Sequence, residues 1–343
     1  MLDVARLAGV TKQTVSNVVR GRQVVSAETR ARVEAAIAEL GYTPNMVARG
    51  LATGTTMTVG FIVPTVAHPF YAEVVEEVET VLEENGYHLI LATARGDDDR
   101  ACRHLTRLAG GSVDALLVAG DFDFGPHTAL LLDKGLPVAL CAWEIDPPET
   151  FPVVTVDFER AGHLAGRHLR DLGHESVAVV ADLPIHRLRV DGMRRAFSED
   201  GLTVPAGHVL GIQGASPESG YDAVAGALPS LRAGGMPTSI LASTDAIALG
   251  VTQALRDHGL GVPQDVSVVG IDDIPQAALS RPALSTVALP KRRMAREATE
   301  LLLRALTADH PEPPALTLLT PEIVARESTA PPPRPRPDDA PTA

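Results

Sequence analysis

The stretch GVTKQTVSNVVRG (residues 9–21) decides how the start of the chain folds. Thr11 can cap a helix running through Val19, and Val15, Val18 and Val19 then share its inner face. Lys12, Gln13 and Ser16 or Asn17 are left pointing outward near its amino end. Upstream, Val4, Ala5 and Leu7 mark a short helix over residues 3–8, and Gly9 supplies a tight turn. Downstream, Ser26 can cap a third helix in which Val33, Ala36, Ile37 and Leu40 recur at helical spacing until Gly41 ends it. Three short helices around a small core, with the second presented outward after a tight turn, make a helix-turn-helix.

The outward residues suit a duplex. Gln and Asn can pair bidentately with adenine, and Lys reaches guanine acceptors in the major groove. A merely solvated helix face is the competing reading of any one of them. The formal net charge of −13 argues against a polyanionic partner at first sight. The charge is uneven, however: residues 1–53 hold seven Lys/Arg and four acids, a head of +3 on a body of −16. Electrostatics act locally, over a Debye length of about 8 Å at physiological salt. A basic head on an acidic body is the asymmetry of a chain whose small domain meets nucleic acid while the larger one does something else.

Beyond Pro44 the segment MVARGLATG reads as a weak helix, a hinge. From Thr58 short apolar runs (TVGFIV, HLILATA, ALLVAG, PVALCAW, then SVAVVAD, HVLGIQ, SILAST, SVVGID) alternate with amphipathic helical stretches. Unbroken apolar strands flanked by helices imply parallel sheets covered on both faces, and two such sets imply two doubly wound subdomains. Ligands of such sheets sit beyond the carboxyl ends of the strands, so the residues just after those runs are the ones to inspect. No apolar run reaches the roughly 18 residues of a membrane span, and MLDVARLAG lacks the features of a secretory signal, so a cytoplasmic location is expected. Cys102 and Cys141 are too far apart for a CxxC pair and are expected to be structural, buried thiols. No P-loop, GxSxG elbow or HExxH is present, so no catalytic, metal or cofactor site is expected. The acid run at Asp97, Asp98 and Asp99 reads as a helix amino terminus.

DVARLAGVTKQTVSNVVRG, VSAETRARVEAAIAELGYTPN and VARGLATG resemble, in order and spacing, the helix-turn-helix, third helix and hinge helix of the LacI/GalR family of bacterial transcriptional regulators. GFIVP, HPFYAEVV, LGH, LRVDGM, STDAIALG, SVVGIDD and IVARES resemble that family's effector-domain landmarks. The resemblance covers about residues 2–330. It implies a small all-α helix-turn-helix domain (residues 1–44), a hinge helix and linker (45–56) and an α/β periplasmic-binding-protein-like body of two doubly wound parallel-sheet subdomains. The expected bounds of these are 57–156 with 286–313, and 157–285 with 314–329, followed by a disordered tail over 330–343.

The resemblance also implies a regulator, read as a repressor, that binds a pseudo-palindromic operator in double-stranded DNA as a homodimer. Lys12, Gln13 and Asn17 would read bases, Thr14 and Ser16 would touch phosphates or bases, and Arg20 and Arg22 complete the DNA-facing set. Leu51 matches the hinge leucine that wedges into the minor groove, where unstacking a step costs about a few kcal/mol. Arg20 stands where asparagine is usual, and Gly50, just before Leu51, costs roughly 0.8–1 kcal/mol of helix propensity relative to Ala. In the body, Phe70, Trp143, Arg189, Thr244, Asp245 and Asp272 match or adjoin positions that hold a small-molecule effector, expected to be sugar-like. Arg189 and Asp272 could instead form a salt bridge across the cleft, and Phe70 and Tyr71 could be core. Thr244 replaces a common asparagine, Ala142 a frequent aspartate and Ala215 a stacking aromatic, so Trp143, the only tryptophan, is the candidate for the missing ring. Two rival classes are a solute-binding protein, which the body alone resembles, and a sugar or nucleotide enzyme.

Overall fold

The computed structural model describes residues 1–19, 24–42, 54–120, 122, 125–145, 148–183, 185–308 and 314–333. The chain divides into two units, Met1–Met57 and Thr58–Ala343.

In the first unit, α1 (Leu2–Leu7), α2 (Lys12–Val19) and α3 (Ala27–Glu39) enclose a core of Val4, Ala5, Ala8, Val15, Val18, Val33 and Ala36. Gly9 takes φ +64° in the turn from α1 to α2, a conformation that carries a steric penalty for residues with a Cβ. Ser26 caps α3 by accepting from the Thr29 amide at 3.3 Å, as its position before the apolar repeat suggests. The hinge expected over residues 45–56 falls mostly outside the described residues.

The second unit is built on two six-stranded sheets. Its first half runs β1 (Thr58–Val63), α4 (Pro69–Glu84), β2 (His88–Thr93), α5 (Asp98–Ala109), β3 (Ala115–Ala119), α6 (Gly125–Asp133), β4 (Val138–Cys141) and β5 (Val153–Val156). The chain then crosses over to α7 (Phe158–Asp171), β6 (Val177–Asp182), α8 (Arg187–Ser198), β7 (Val209–Ile212), α9 (Pro217–Ala233), β8 (Ser239–Ala242), α10 (Asp245–Asp257), β9 (Ser267–Asp272), α11 (Pro275–Leu279) and β10 (Ser285–Ala288). It returns through α12 (Lys291–Thr307) and β11 (Leu316–Leu319) and finishes in β12 (Glu322–Val324). The first sheet has the order β11-β5-β4-β3-β1-β2 and the second β12-β10-β9-β8-β6-β7. The first sheet is wholly parallel; in the second only β12 runs antiparallel, to β10. The buried strands are near-continuous Val, Ile, Leu and Ala, as sheets covered on both faces require.

Three details differ from the sequence expectation. β10 belongs wholly to the second sheet, although the resemblance implies that residues 286–313 fall in the first subdomain. β11 belongs to the first sheet, pairing Leu316 with Val153, although the resemblance implies that residues 314–329 fall in the second. Four-residue strands such as STVA and LTLL carry no local mark of the sheet they join, and only long-range pairing selects one. Ala330 is held rather than loose: its carbonyl lies 2.8 Å from His174 Nε2, and its amide donates to Ser267 Oγ at 3.0 Å. Cys102 is half-buried, whereas Cys141 is fully buried and burial pushes its thiol up. Asp97 caps α5 through the Arg100 amide at 2.9 Å, with Asp98 and Asp99 in the first turn.

One helix contact positions the candidate site. A Cβ on Gly162 of α7 would lie 1.8 Å from the Arg189 carbonyl oxygen, and one on Gly192 of α8 would lie 1.8 Å from that of Glu159. The two helices therefore meet backbone to backbone, which fixes where the Arg189 side chain departs.

Candidate functional site

In the head, Thr11 Oγ1 accepts from the Thr14 amide at 3.1 Å and starts α2. Lys12 and Gln13 are exposed, Thr14, Ser16 and Asn17 half-buried, and Val15 and Val18 buried. Gln13 Nε2 lies 3.4 Å from Asn17 Oδ1, one turn along, so both amides occupy one stripe beside Lys12. That stripe offers donors and acceptors together, the chemistry needed for base edges. Arg20, Arg22 and Leu51 lie outside the described residues.

In the body, the polar groups converge at strand ends. β4 leads into Ala142 at φ +50°, and β9 ends in Asp272 at φ +124°, followed by Asp273 at φ +51°. Left-handed backbone at non-glycine residues costs of order 1–3 kcal/mol each and is retained where surrounding structure holds it. Lys291, first in α12, provides that support: its Nζ donates to the Asp272 and Asp273 carbonyls at 2.8 Å each and pairs with Glu73 at 3.1 Å. Arg326 adds a bond to Asp273 Oδ1 at 2.6 Å.

Arg189 sits at the centre, only 5% exposed, beside Glu144 at 4% and Asp272 at 1%. Its Nε donates to the Glu144 oxygens at 3.0 and 3.1 Å, and its Nη2 lies 2.9 Å from Oε2 of the same carboxylate. Its Nη1 donates to the Ser243 carbonyl at 2.6 Å and to Asp272 Oδ1 at 3.3 Å, and the guanidinium stands over the Phe158 ring at 4.7 Å. Burial works against the Arg189 charge, but Glu144 and Asp272 outweigh it and hold its pKa above the ordinary range. Burial pushes the Asp272 carboxyl up, against the pull of Arg189 and His68.

His68, the residue before α4, completes the arrangement. Burial lowers its pKa, which favours the neutral ring, and Nδ1 accepts from the Phe70 amide at 3.3 Å, which assigns the ring proton to Nε2. That Nε2 stands 3.9 Å from Asp272 Oδ2, beyond a direct hydrogen bond, and neither atom has a hydrogen-bond partner among the described residues. A donor and an acceptor at that spacing can share one hydroxyl, which accepts from the histidine and donates to the carboxylate. His186, well below the usual histidine range because of burial, lies beside them with Nδ1 2.8 Å from Ser243 Oγ.

The structure thus brings Arg189 and Asp272 together as a salt bridge, the alternative the sequence leaves open. Thr244 and Asp245 do not present free side chains. The Thr244 hydroxyl caps α10 by accepting from Ile247, and the Asp245 carboxylate accepts from the Ile274 amide at 2.9 Å and from the Thr286 hydroxyl. Burial, then Asp272, pushes Asp245 up to about 7. The Trp143 indole is buried in a cluster with Phe122, Leu131 and Phe151, whereas Phe70 belongs to a different cluster with Val74, Phe158 and Val190. Phe70 also meets Tyr71 edge to face at 5.1 Å. Sequence reasoning missed His68, Glu144 and Lys291. The rule of inspecting residues just after a strand points to Glu144, and the HPFY stretch contains His68, but nothing local marks Lys291.

Residues 1–45 match the sequence model for bacterial regulatory proteins of the lacI family, and residues 166–329 that for the periplasmic binding protein-like domain. The HTH-type transcriptional repressor PurR of Aliivibrio fischeri (strain MJ11) is 35% identical over 334 residues, covering 95% of this chain and 97% of its own. The chain belongs to the LacI family. Among solved structures, this LacI-family chain is similar to the lac repressor dimer bound to operator and the anti-inducer ONPF, at TM-score 0.83 and 27% identity, over 96% of this chain and 98% of that one. It is also similar to the complex of the transcriptional regulator CelR with cellobiose, at TM-score 0.72 and 31% identity, over 95% of this chain and 98% of that one. Among the described residues, no helix of this LacI-family chain is long and apolar enough to cross a membrane.

Proposed function

We propose that this chain is a transcriptional repressor that binds a pseudo-palindromic operator as a homodimer and is controlled by a sugar-like effector. Each subunit places α2 in one major-groove half-site, with Lys12, Gln13 and Asn17 at base edges, Thr14 and Ser16 at phosphates or bases, and Arg20 and Arg22 completing the basic surface. Leu51 of each hinge enters the minor groove at the centre. The effector is held by His68 and Asp272, with Phe70 lining the same end of the cleft and Arg189 fixing the Asp272 carboxylate in place. Thr244 and Asp245 shape the pocket from behind, and Trp143 stiffens the β4 loop rather than stacking on the ligand.

The observation that carries the effector reading is the unpartnered pair His68 Nε2 and Asp272 Oδ2, 3.9 Å apart beside a fully engaged arginine. Buried polar atoms without partners cost free energy, and a ligand hydroxyl recovers it. His68 precedes a helix packed on the first sheet and Asp272 ends a strand of the second, so one bridged hydroxyl biases the two subdomains toward each other. Effector and operator affinities are then coupled reciprocally.

A mobility shift with the pseudo-palindromic DNA flanking its own gene tests this. Wild-type protein is expected to retard the fragment, and Gln13→Ala, which removes one bidentate base contact worth about 1–3 kcal/mol from each half-site, to weaken dimer binding at least about 30-fold. Gln13→Ala binding as tightly as wild type, or no retardation by either, overturns the reading.

A further inference from the structure

The Arg189 fork already holds a carboxylate. In an Arg–carboxylate pair, the Nε and Nη2 edge is a strong bidentate site for an anion, and here both Glu144 oxygens fill it at 2.9–3.1 Å. Glu144 follows β4 of the first sheet, whereas Arg189 lies in α8, which packs on the second, so the pair spans the two subdomains. The remaining Nη1 is spent on the Ser243 carbonyl and on Asp272. One guanidinium therefore faces two carboxylates, and Lys291 is directed at backbone carbonyls and Glu73 rather than at the gap between His68 and Asp272.

We propose that Glu144 is a specificity-determining residue: a tethered carboxylate that occupies the anion-binding edge of Arg189, so that the cleft accepts uncharged polyhydroxyl ligands and rejects those bearing a carboxylate or phosphate. The proposal rests on the effector reading above and adds the charge class of the ligand. The physical ground is repulsion. A third anion brought near Arg189 would meet Glu144 and Asp272 in a site sheltered from solvent, where like charges interact far more strongly than in bulk water. Neutral hydroxyls pay no such penalty and still find an acceptor in Asp272 and a donor in His68.

Removing Glu144 should open an anion site, which chemical rescue measures without knowledge of the effector. In the full-length protein, Glu144→Ala is expected to lower the thermal midpoint. Sodium formate at 50 mM should restore part of that loss relative to equal sodium chloride, with no such difference in wild type and none in the Glu144→Ala, Arg189→Met double variant. Equal responses to formate and chloride in Glu144→Ala, or a formate effect that survives in the double variant, overturn the proposal. Glu144→Gln, which keeps the side-chain volume, supplies a second readout with matched probes: glucose against glucose 6-phosphate, galactose against galacturonate, and ribose against ribose 5-phosphate. Wild type should bind the neutral member of a pair at least tenfold tighter than its acid, and Glu144→Gln should narrow that ratio at least tenfold. An acid bound by wild type as tightly as its neutral partner overturns the proposal. If no probe in the panel binds wild type, the sugar-like reading of the effector falls, and the formate experiment still decides whether Glu144 guards Arg189.

Discussion

The reading helix and the effector cleft are built on opposite principles. The α2 side chains proposed to meet DNA lie within the six residues from Lys12 to Asn17, and the bond that starts the helix, from the Thr14 amide to Thr11 Oγ1, spans three positions. The cleft gathers His68, Glu144, Arg189, Asp272 and Lys291 from five separate stretches, the last four joined by bonds spanning 19 to 83 positions. A local device tolerates substitution on its exposed face without loss of fold. A long-range device ties function to stability, because its polar groups are buried against one another.

The largest expected effect follows from that difference. Arg189→Met strands Glu144 and Asp272 as buried carboxylates without their common partner, and breaking a buried pair in this way costs about 3–5 kcal/mol. Urea unfolding of the full chain should show the loss. A change below about 1 kcal/mol would mean that the cleft opens to water as freely as the head.

A second effect is one of pH. Asp245 is raised to about 7 by burial and by Asp272, so between its ordinary value near 3.8 and about 7 the folded protein binds more protons than the unfolded chain. Stability from this group is therefore fully present below about 3.8 and lost as pH rises through 7, with a limiting slope of about 1.4 kcal/mol for each pH unit. Asp245→Asn should lose less stability than wild type between pH 4.5 and 7 in thermal melts, and parallel curves would show that Asp245 titrates normally.

The smallest effect sharpens the other side of the comparison. Thr11→Ala removes the cap of α2 and should cost about 1 kcal/mol, confined to the head. Operator affinity should fall through fraying of α2, and added sucrose, which favours the folded helix, should recover part of it. Gln13→Ala should not recover, since it removes a contact rather than a fold.

Much of the head is legible in the sequence because its determinants are near neighbours: a capping threonine, an apolar face at helical spacing and a glycine in the turn. The alternation of strand and helix in the body is legible for the same reason, and so are Arg189 and Asp272 as charged residues beyond strand ends. What escapes is partnership. Arg189 is expected to face a ligand and instead grips Glu144, while Thr244 and Asp245 are turned to the capping of α10 and to Ile274 and Thr286. Trp143 stands out as a ligand residue because it is the only tryptophan, yet its ring has the Phe122, Leu131 and Phe151 cluster to fill. No pattern along the chain distinguishes a side chain that leaves a strand end toward a cleft from one that turns back into the core.

Period, capping and local charge are enough to establish the class of each unit, the face α2 presents and the strand ends at which ligand chemistry must be sought, and all three are written in neighbouring residues. They are silent on whether β11 joins the first sheet, whether Glu144 fills the Arg189 fork, and whether His68 and Asp272 are left 3.9 Å apart. Those outcomes depend on distances between residues far apart in the chain, and such distances are set by how two sheets and their crossovers pack.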